Sequence, residues 1–112
     1  MTSWTVPATV KSIHDGDTLT AVLDLGWHIS LTSSIRLLGI NAPELSTLAG
    51  KEALGYLETL VSVGDPITVI STRILGSTEK YGRVLAAVQT ASGQDLSTAM
   101  LAAGHAVPYS PR

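Results

Sequence analysis

The segment Thr18–Gly26, TLTAVLDLG, limits the possible fold more than any other part of this chain. Leu19, Ala21, Leu23 and Leu25 alternate with Thr20, Val22 and Asp24. A period of two puts the first set on one face of a β-strand and the second on the other. The residues before it, Val6–Ile13, are β-rich as well, with Pro7 marking an edge or a starting point. Gly26 and Trp27 are predicted to turn the chain into a third strand, HISLTSSIRLLGI. Ser33 and Ser34 interrupt that strand's pattern, which predicts a bulge or bend.

The character then changes. In TLAGKEALGYLETLVSVG, Ala53, Tyr56, Leu57, Leu60 and Val61 fall at helical spacing. Thr47 stands where a cap belongs, and Gly64 with Asp65-Pro66 ends the helix. ITVISTRI returns to strand, LGSTEKYG is a loop, and RVLAAVQT is a fifth strand closed by a turn at Ser92-Gly93. DLSTAMLAAG is a short helix, with Asp95 as cap and Gly104 as terminator. The tail, HAVPYSPR, has two prolines and no periodic pattern. The order β-β-β-α-β-β-α predicts an α+β fold, mainly β. Its strand count and helix placement are those of a five-stranded OB-fold barrel with a helix between strands 3 and 4 and a short C-terminal helix. No repeat, low-complexity segment or linker divides the chain, so one domain over residues 1–112 is expected.

Composition supports a packed core. The chain is 45% hydrophobic and only 14% charged, at a length of 112 residues that can hold a core without staples. Aromatics are few, so aliphatic side chains must fill most of that core. There is no cysteine, which excludes disulfides and cysteine-bound metal. The net charge of −2 lacks the basic signature of nucleic-acid binding. A polyanionic substrate stays open, because a few local cations or one divalent ion can reverse the potential of a cleft. No run approaches the roughly 20 apolar residues of a membrane span. The N-terminus lacks a basic stretch followed by an apolar one, so it does not read as a signal peptide. The default expectation is a soluble, cytoplasmic monomer.

Three short segments could carry chemistry. In HDGDT, Asp15-Gly16-Asp17 lies between two strand patterns and is first of all a turn. The other reading has Asp17 presenting its carboxylate to a hard cation. In RLLGINAPE, strand geometry puts Arg36, Leu38 and Ile40 on one face. A cation there either snorkels at the barrel rim or grips phosphate oxygens with its fork of donors. Glu44, stiffened by Pro43, is either a surface carboxylate or a base aimed at a water. In EKYGR, Arg83 starts a strand, an ordinary place for a charge. His14, His28 and His105 show no short metal-ligand spacing.

Together, DGDT at 15–18, IRLLGINAPE at 35–44 and EKYGRVLAAV at 79–88 resemble the staphylococcal nuclease (thermonuclease) family. Segment order and spacing fit over nearly the whole chain. The resemblance implies calcium-dependent hydrolysis of phosphodiester bonds in DNA and/or RNA, on an OB-fold. It implies that Asp17, Asn41 and Ala42 hold Ca2+, with Ala42 acting through its backbone. It makes Arg36 and Arg83 the phosphate-gripping arginines and Glu44 the general base. Lys80 and Tyr81 resemble residues that contact a terminal phosphate, and Tyr109 resembles a tyrosine near the bound base. Asn41 stands where the best-known members have aspartate, and Ala42 where threonine is common. The expected substrate is single-stranded nucleic acid. The alternative is a catalytically weak or inactive OB-fold module that binds nucleic acid or protein.

Overall fold

The computed structural model describes residues 4–71 and 84–109. Five strands close a barrel in the order β1-β2-β3-β6-β5: β1 Trp4–Asp15, β2 Thr18–Gly26, β3 Ile29–Leu37, β5 Pro66–Ser71 and β6 Val84–Thr90. All pairs are antiparallel except β3 with β6, whose parallel register Ile35↔Val84 to Leu37↔Ala86 shuts the cylinder. The helix α1, Leu48–Leu60, lies between the third and fourth barrel strands, and α2, Leu96–Ala102, follows the fifth. The mainly β fold expected from the sequence is the one observed. Leu19, Ala21 and Leu23 turn inward as their alternation requires, against Val10, Ile35, Leu37, Val69 and Val88. Burying each such leucine or isoleucine contributes roughly 1.5–3 kcal/mol. Ala53, Leu57 and Val61 of the α1 stripe complete this core.

Both helices start at the expected caps and α2 stops at the expected glycine, whereas α1 ends at Leu60, with Val61 extended at φ −140°, ahead of the expected stop at Gly64. The Thr47 hydroxyl accepts the Gly50 N–H, and the Asp95 carboxylate accepts the Thr98 N–H. At the end of α2, Gly104 adopts φ 78°, its N–H bonds to Leu101 O, and the His105 N–H bonds to Met100 O. That pairing is a Schellman motif, which needs a left-handed residue at the position of Gly104.

Four details depart from the pattern-based reading. The β2–β3 turn is formed by Trp27 and His28, at φ 56° and 62°, between the paired Gly26 and Ile29. Two-residue hairpins favour positive φ at both central positions because that twist matches the strands, at about 1 kcal/mol or more for each bulky residue. No bulge occurs at Ser33-Ser34; Ala21↔Ser33 and Thr20↔Ser34 continue the ladder, and the irregularity in this pair lies at Asp24/Gly26. The serines need no bulge because Ile29–Thr32 is exposed residue after residue, so alternation is not enforced there. Arg36 and Ile40 do not share a face. Gly39, at φ 86°, turns the chain, and Ile40 enters the core at 1% exposure. The tail is not irregular throughout: β7, Val107–Pro108, pairs with β4, Ile40–Asn41.

Two glycines fix how α1 meets the barrel. A Cβ on Gly50 would run into the carbonyl of Glu44. A Cβ on Gly16 would lie 2.7 Å from the Ala53 Cβ and 2.8 Å from the Ala42 Cβ. The β1–β2 turn, the chain after β4 and the first turns of α1 thus meet at closest approach. By contrast, nothing lies within 4 Å of a Cβ on Gly55, also in α1. Gly50→Ala should lower stability by about 2 kcal/mol or more through overpacking. Gly55→Ala should raise it by about 0.5–1 kcal/mol through helix propensity. Urea denaturation of both variants checks the opposite signs.

Candidate functional site

At one end of the barrel the β1–β2 turn delivers Asp17 beside Arg36 of β3. Arg36 Nη1 lies 2.9 Å from Asp17 Oδ2, with both side chains about nine-tenths buried, at 11% and 10% exposure. The register explains the meeting, since Thr18 pairs with Arg36 across the β2–β3 ladder. The Leu37 N–H also donates to the Asp17 carbonyl at 2.8 Å, clamping the turn onto the end of β3. The chain after β4 closes the other side. Arg36 Nη2 donates to Asn41 Oδ1 at 3.0 Å, and the Ala42 N–H donates to Asp17 Oδ2 at 2.8 Å. The Tyr109 ring lies against the guanidinium, its centroid 5.6 Å from Cζ.

Asp17 is almost fully committed. Besides the ion pair and the Ala42 N–H, its Oδ1 accepts the Thr18 hydroxyl at 3.0 Å. Its own N–H donates to Asp15 Oδ1 at 3.0 Å. Burial works to raise its pKa, but the Asp15 carboxyl, the Ala42 N–H, the Arg36 charge and the Thr18 hydroxyl together outweigh burial and hold it below the usual carboxylate range. Asp15 moves the other way, raised first by burial and then by its neighbour Asp17. Arg36 is less complete. Its Nη1 is buried against Asp17 without a hydrogen bond of good geometry, so that contact is ionic.

Glu44 stands apart from this cluster. Its backbone is held firmly: the Thr47 N–H donates to its carbonyl at 3.0 Å, the Thr47 hydroxyl at 2.6 Å, and Gly50 packs onto it. Its side chain is exposed. The structure therefore brings Asp17, Arg36, Asn41, Ala42 and Tyr109 together and leaves Glu44 beside them on a fixed backbone. Lys80, Tyr81 and Arg83 lie outside the described residues. Sequence reasoning passed over Asp15 and Thr18, although both belong to the DGDT motif, and Gly16 and Gly50, whose role is purely one of space.

The oxygens of Asp17 and Asn41 converge on a single cationic group, and hard oxygen donors of this kind suit calcium or magnesium. Among the described residues there is no cluster of three or more His, Cys, Asp or Glu that could hold a metal. An ion here would therefore rest on one carboxylate, an amide and backbone oxygen.

A closed five-stranded barrel with an arginine–carboxylate cluster at the β1–β2 turn defines a small α+β barrel of the OB type. Residues 34–112 match the family described as staphylococcal nuclease homologue, and the chain belongs to that family. The matched span takes in Arg36, Asn41, Glu44 and Tyr109 and begins after Asp17. The chain is also 34% identical over 113 residues to Endonuclease YhcR of Bacillus subtilis (strain 168), an alignment covering 89% of this chain and 9% of that protein. No helix among the described residues is long and apolar enough to cross a membrane.

The lowered pKa of Asp17 has a definite sign. Its contribution to stability is complete above the unfolded carboxylate value near 3.9 and is lost as pH falls through the lower folded value. Asp17→Asn should cost on the order of 3 kcal/mol at pH 7, because it leaves the buried Arg36 charge unpaired. Thermal melts of wild type and variant should converge as pH falls below about 4, where wild-type Asp17 takes up its proton.

Proposed function

We propose that the chain is a calcium-dependent nuclease that hydrolyses phosphodiester bonds of DNA and/or RNA, with single-stranded substrate preferred. The observation that supports this most is Arg36: a guanidinium fixed at the barrel end by Asp17 and Asn41, with 11% of its side chain still open to solvent. A phosphate oxygen is the acceptor such a fork matches. Membership of the nuclease family and the endonuclease relative point the same way.

In this reading Arg36 holds a non-bridging oxygen and stabilises charge as it builds on the phosphate. Arg83 acts as the second arginine. Glu44 takes a proton from the attacking water. Its exposed carboxylate can reach a solvent molecule, while the Thr47 bonds keep its Cα in place. Lys80 and Tyr81 contact a terminal phosphate. Asp17, Asn41 and the Ala42 backbone would hold the cation, which supplies charge neutralisation and orientation of the phosphate.

Heat-denatured DNA should be cut in millimolar calcium and left intact with a chelator. Glu44→Gln should lower the rate by about 100-fold or more, the usual contribution of a positioned base. Cleavage that survives the chelator, or an unchanged rate in Glu44→Gln, would sink this mechanism.

Asn41 sets the charge of the cation site. Its amide oxygen can ligate but brings no formal charge, and ligand charge tunes calcium affinity. Asn41→Asp should tighten calcium binding by roughly tenfold in an isothermal titration. Equal or weaker affinity would place residue 41 outside the ligand set.

A further inference from the structure

Tyr109 stands in a structural setting that base contact does not explain. The segment before it is strapped across the outside of the site. The His105 ring packs on Tyr56 of α1, with centroids 4.9 Å apart, and Ala106 is buried. Val107 and Pro108 pair with Asn41 and Ile40. The Tyr109 N–H donates to the Gly39 carbonyl at 2.9 Å.

That last bond completes the anchoring of the turn between β3 and β4. The Leu38 N–H donates to the Ala86 carbonyl at 2.9 Å, and the Leu38 carbonyl accepts the Ser97 hydroxyl at 2.8 Å. This turn separates Arg36 from Asn41, so its position decides whether the two side chains meet. With the backbone strapped, the Tyr109 ring reaches back over the guanidinium at 5.6 Å.

The guanidinium then has partners of two kinds. Asp17 and Asn41 meet its nitrogens, whereas Tyr109 turns its ring face toward the guanidinium carbon, 5.6 Å away. Contacts to the nitrogens alone leave a planar cation free to rock about its long side chain. A ring face turned toward the cation limits that motion, because the ring quadrupole attracts the charge. A guanidinium that must meet a phosphate at fixed geometry gains rate from this restriction, because small misplacements cost large factors.

We propose that Tyr109 is a positioning residue for Arg36, acting through its ring face, and that residues 105–109 form the strap that holds it there. The kinetic part of this inference rests on the nuclease reading above; the spectroscopic part does not.

Two measurements test it. In single-stranded DNA cleavage, Tyr109→Leu should lower kcat about tenfold with KM changed less than twofold. Tyr109→Phe and Tyr109→Trp keep a ring face and should retain kcat within about twofold. In NMR, the Arg36 Nε–Hε signal, assigned by its loss in Arg36→Lys, should be sharp and ring-current shifted in wild type and Tyr109→Phe. It should lose that ring-current shift in Tyr109→Leu. A raised KM at unchanged kcat, abolished on a substrate lacking the flanking base, would assign Tyr109 to base stacking and overturn the proposal. An Arg36 signal indifferent to Tyr109→Leu would overturn it as well. If wild type does not cleave, the nuclease reading fails while the NMR result still decides whether Tyr109 holds Arg36.

Discussion

The ion pair between Asp17 and Arg36 governs the architecture of this barrel end. Two opposite charges, each about nine-tenths buried, are stable only when both are present and well bonded. The pair joins the β1–β2 turn to the end of β3, and Asp17 extends the connection to Ala42 beyond β4. Each piece is weak alone: a two-residue turn, a strand end, a two-residue strand. The buried charges make their mutual position costly to change. The lowered pKa of Asp17 expresses the same coupling, since several donors converge on one carboxylate and outweigh its burial.

Much of the barrel was legible because its rules are local. The alternation in Thr18–Gly26 set which side chains of β2 face inward. Thr47, Asp95 and Gly104 marked helix ends through bonds made within a few residues. Reading failed where a distant partner decides. Val107-Pro108 has no strand pattern, and only Ile40-Asn41, far back in the chain, makes it one. Ile40 was assigned to the face of Arg36 because period two was carried through Gly39, yet a left-handed glycine resets the phase.

The site was legible to a smaller degree, and for a different reason. From its residues alone, DGDT was first a turn and Arg36 first a rim cation; resemblance to a family grouped them. The structure adds contacts that no spacing rule contains. Asp17 and Asn41 are brought onto one guanidinium by ladder register and by the Gly39 turn. Gly16 and Gly50 matter through the volume they leave empty, which becomes visible only when Ala42, Ala53 and Glu44 are in place around them.

An acidic chain can still hold a cation in a fixed place, and Arg36 is such a cation. Net charge of −2 describes the long-range field, which salt screens within about 8–10 Å. At contact distance the chain has fixed a guanidinium on several sides, which is where the proposed phosphate contact would act. On the proposed nuclease reading, that fixed arrangement is the kind of preorganisation that stabilises developing charge. Glu44 is the opposite case. Its Cα is fixed by Thr47 and Gly50, while its carboxylate stays in solvent, where water is available to it. Arg36 and Glu44 thus sit in opposite environments, a mostly buried cation and a solvated carboxylate.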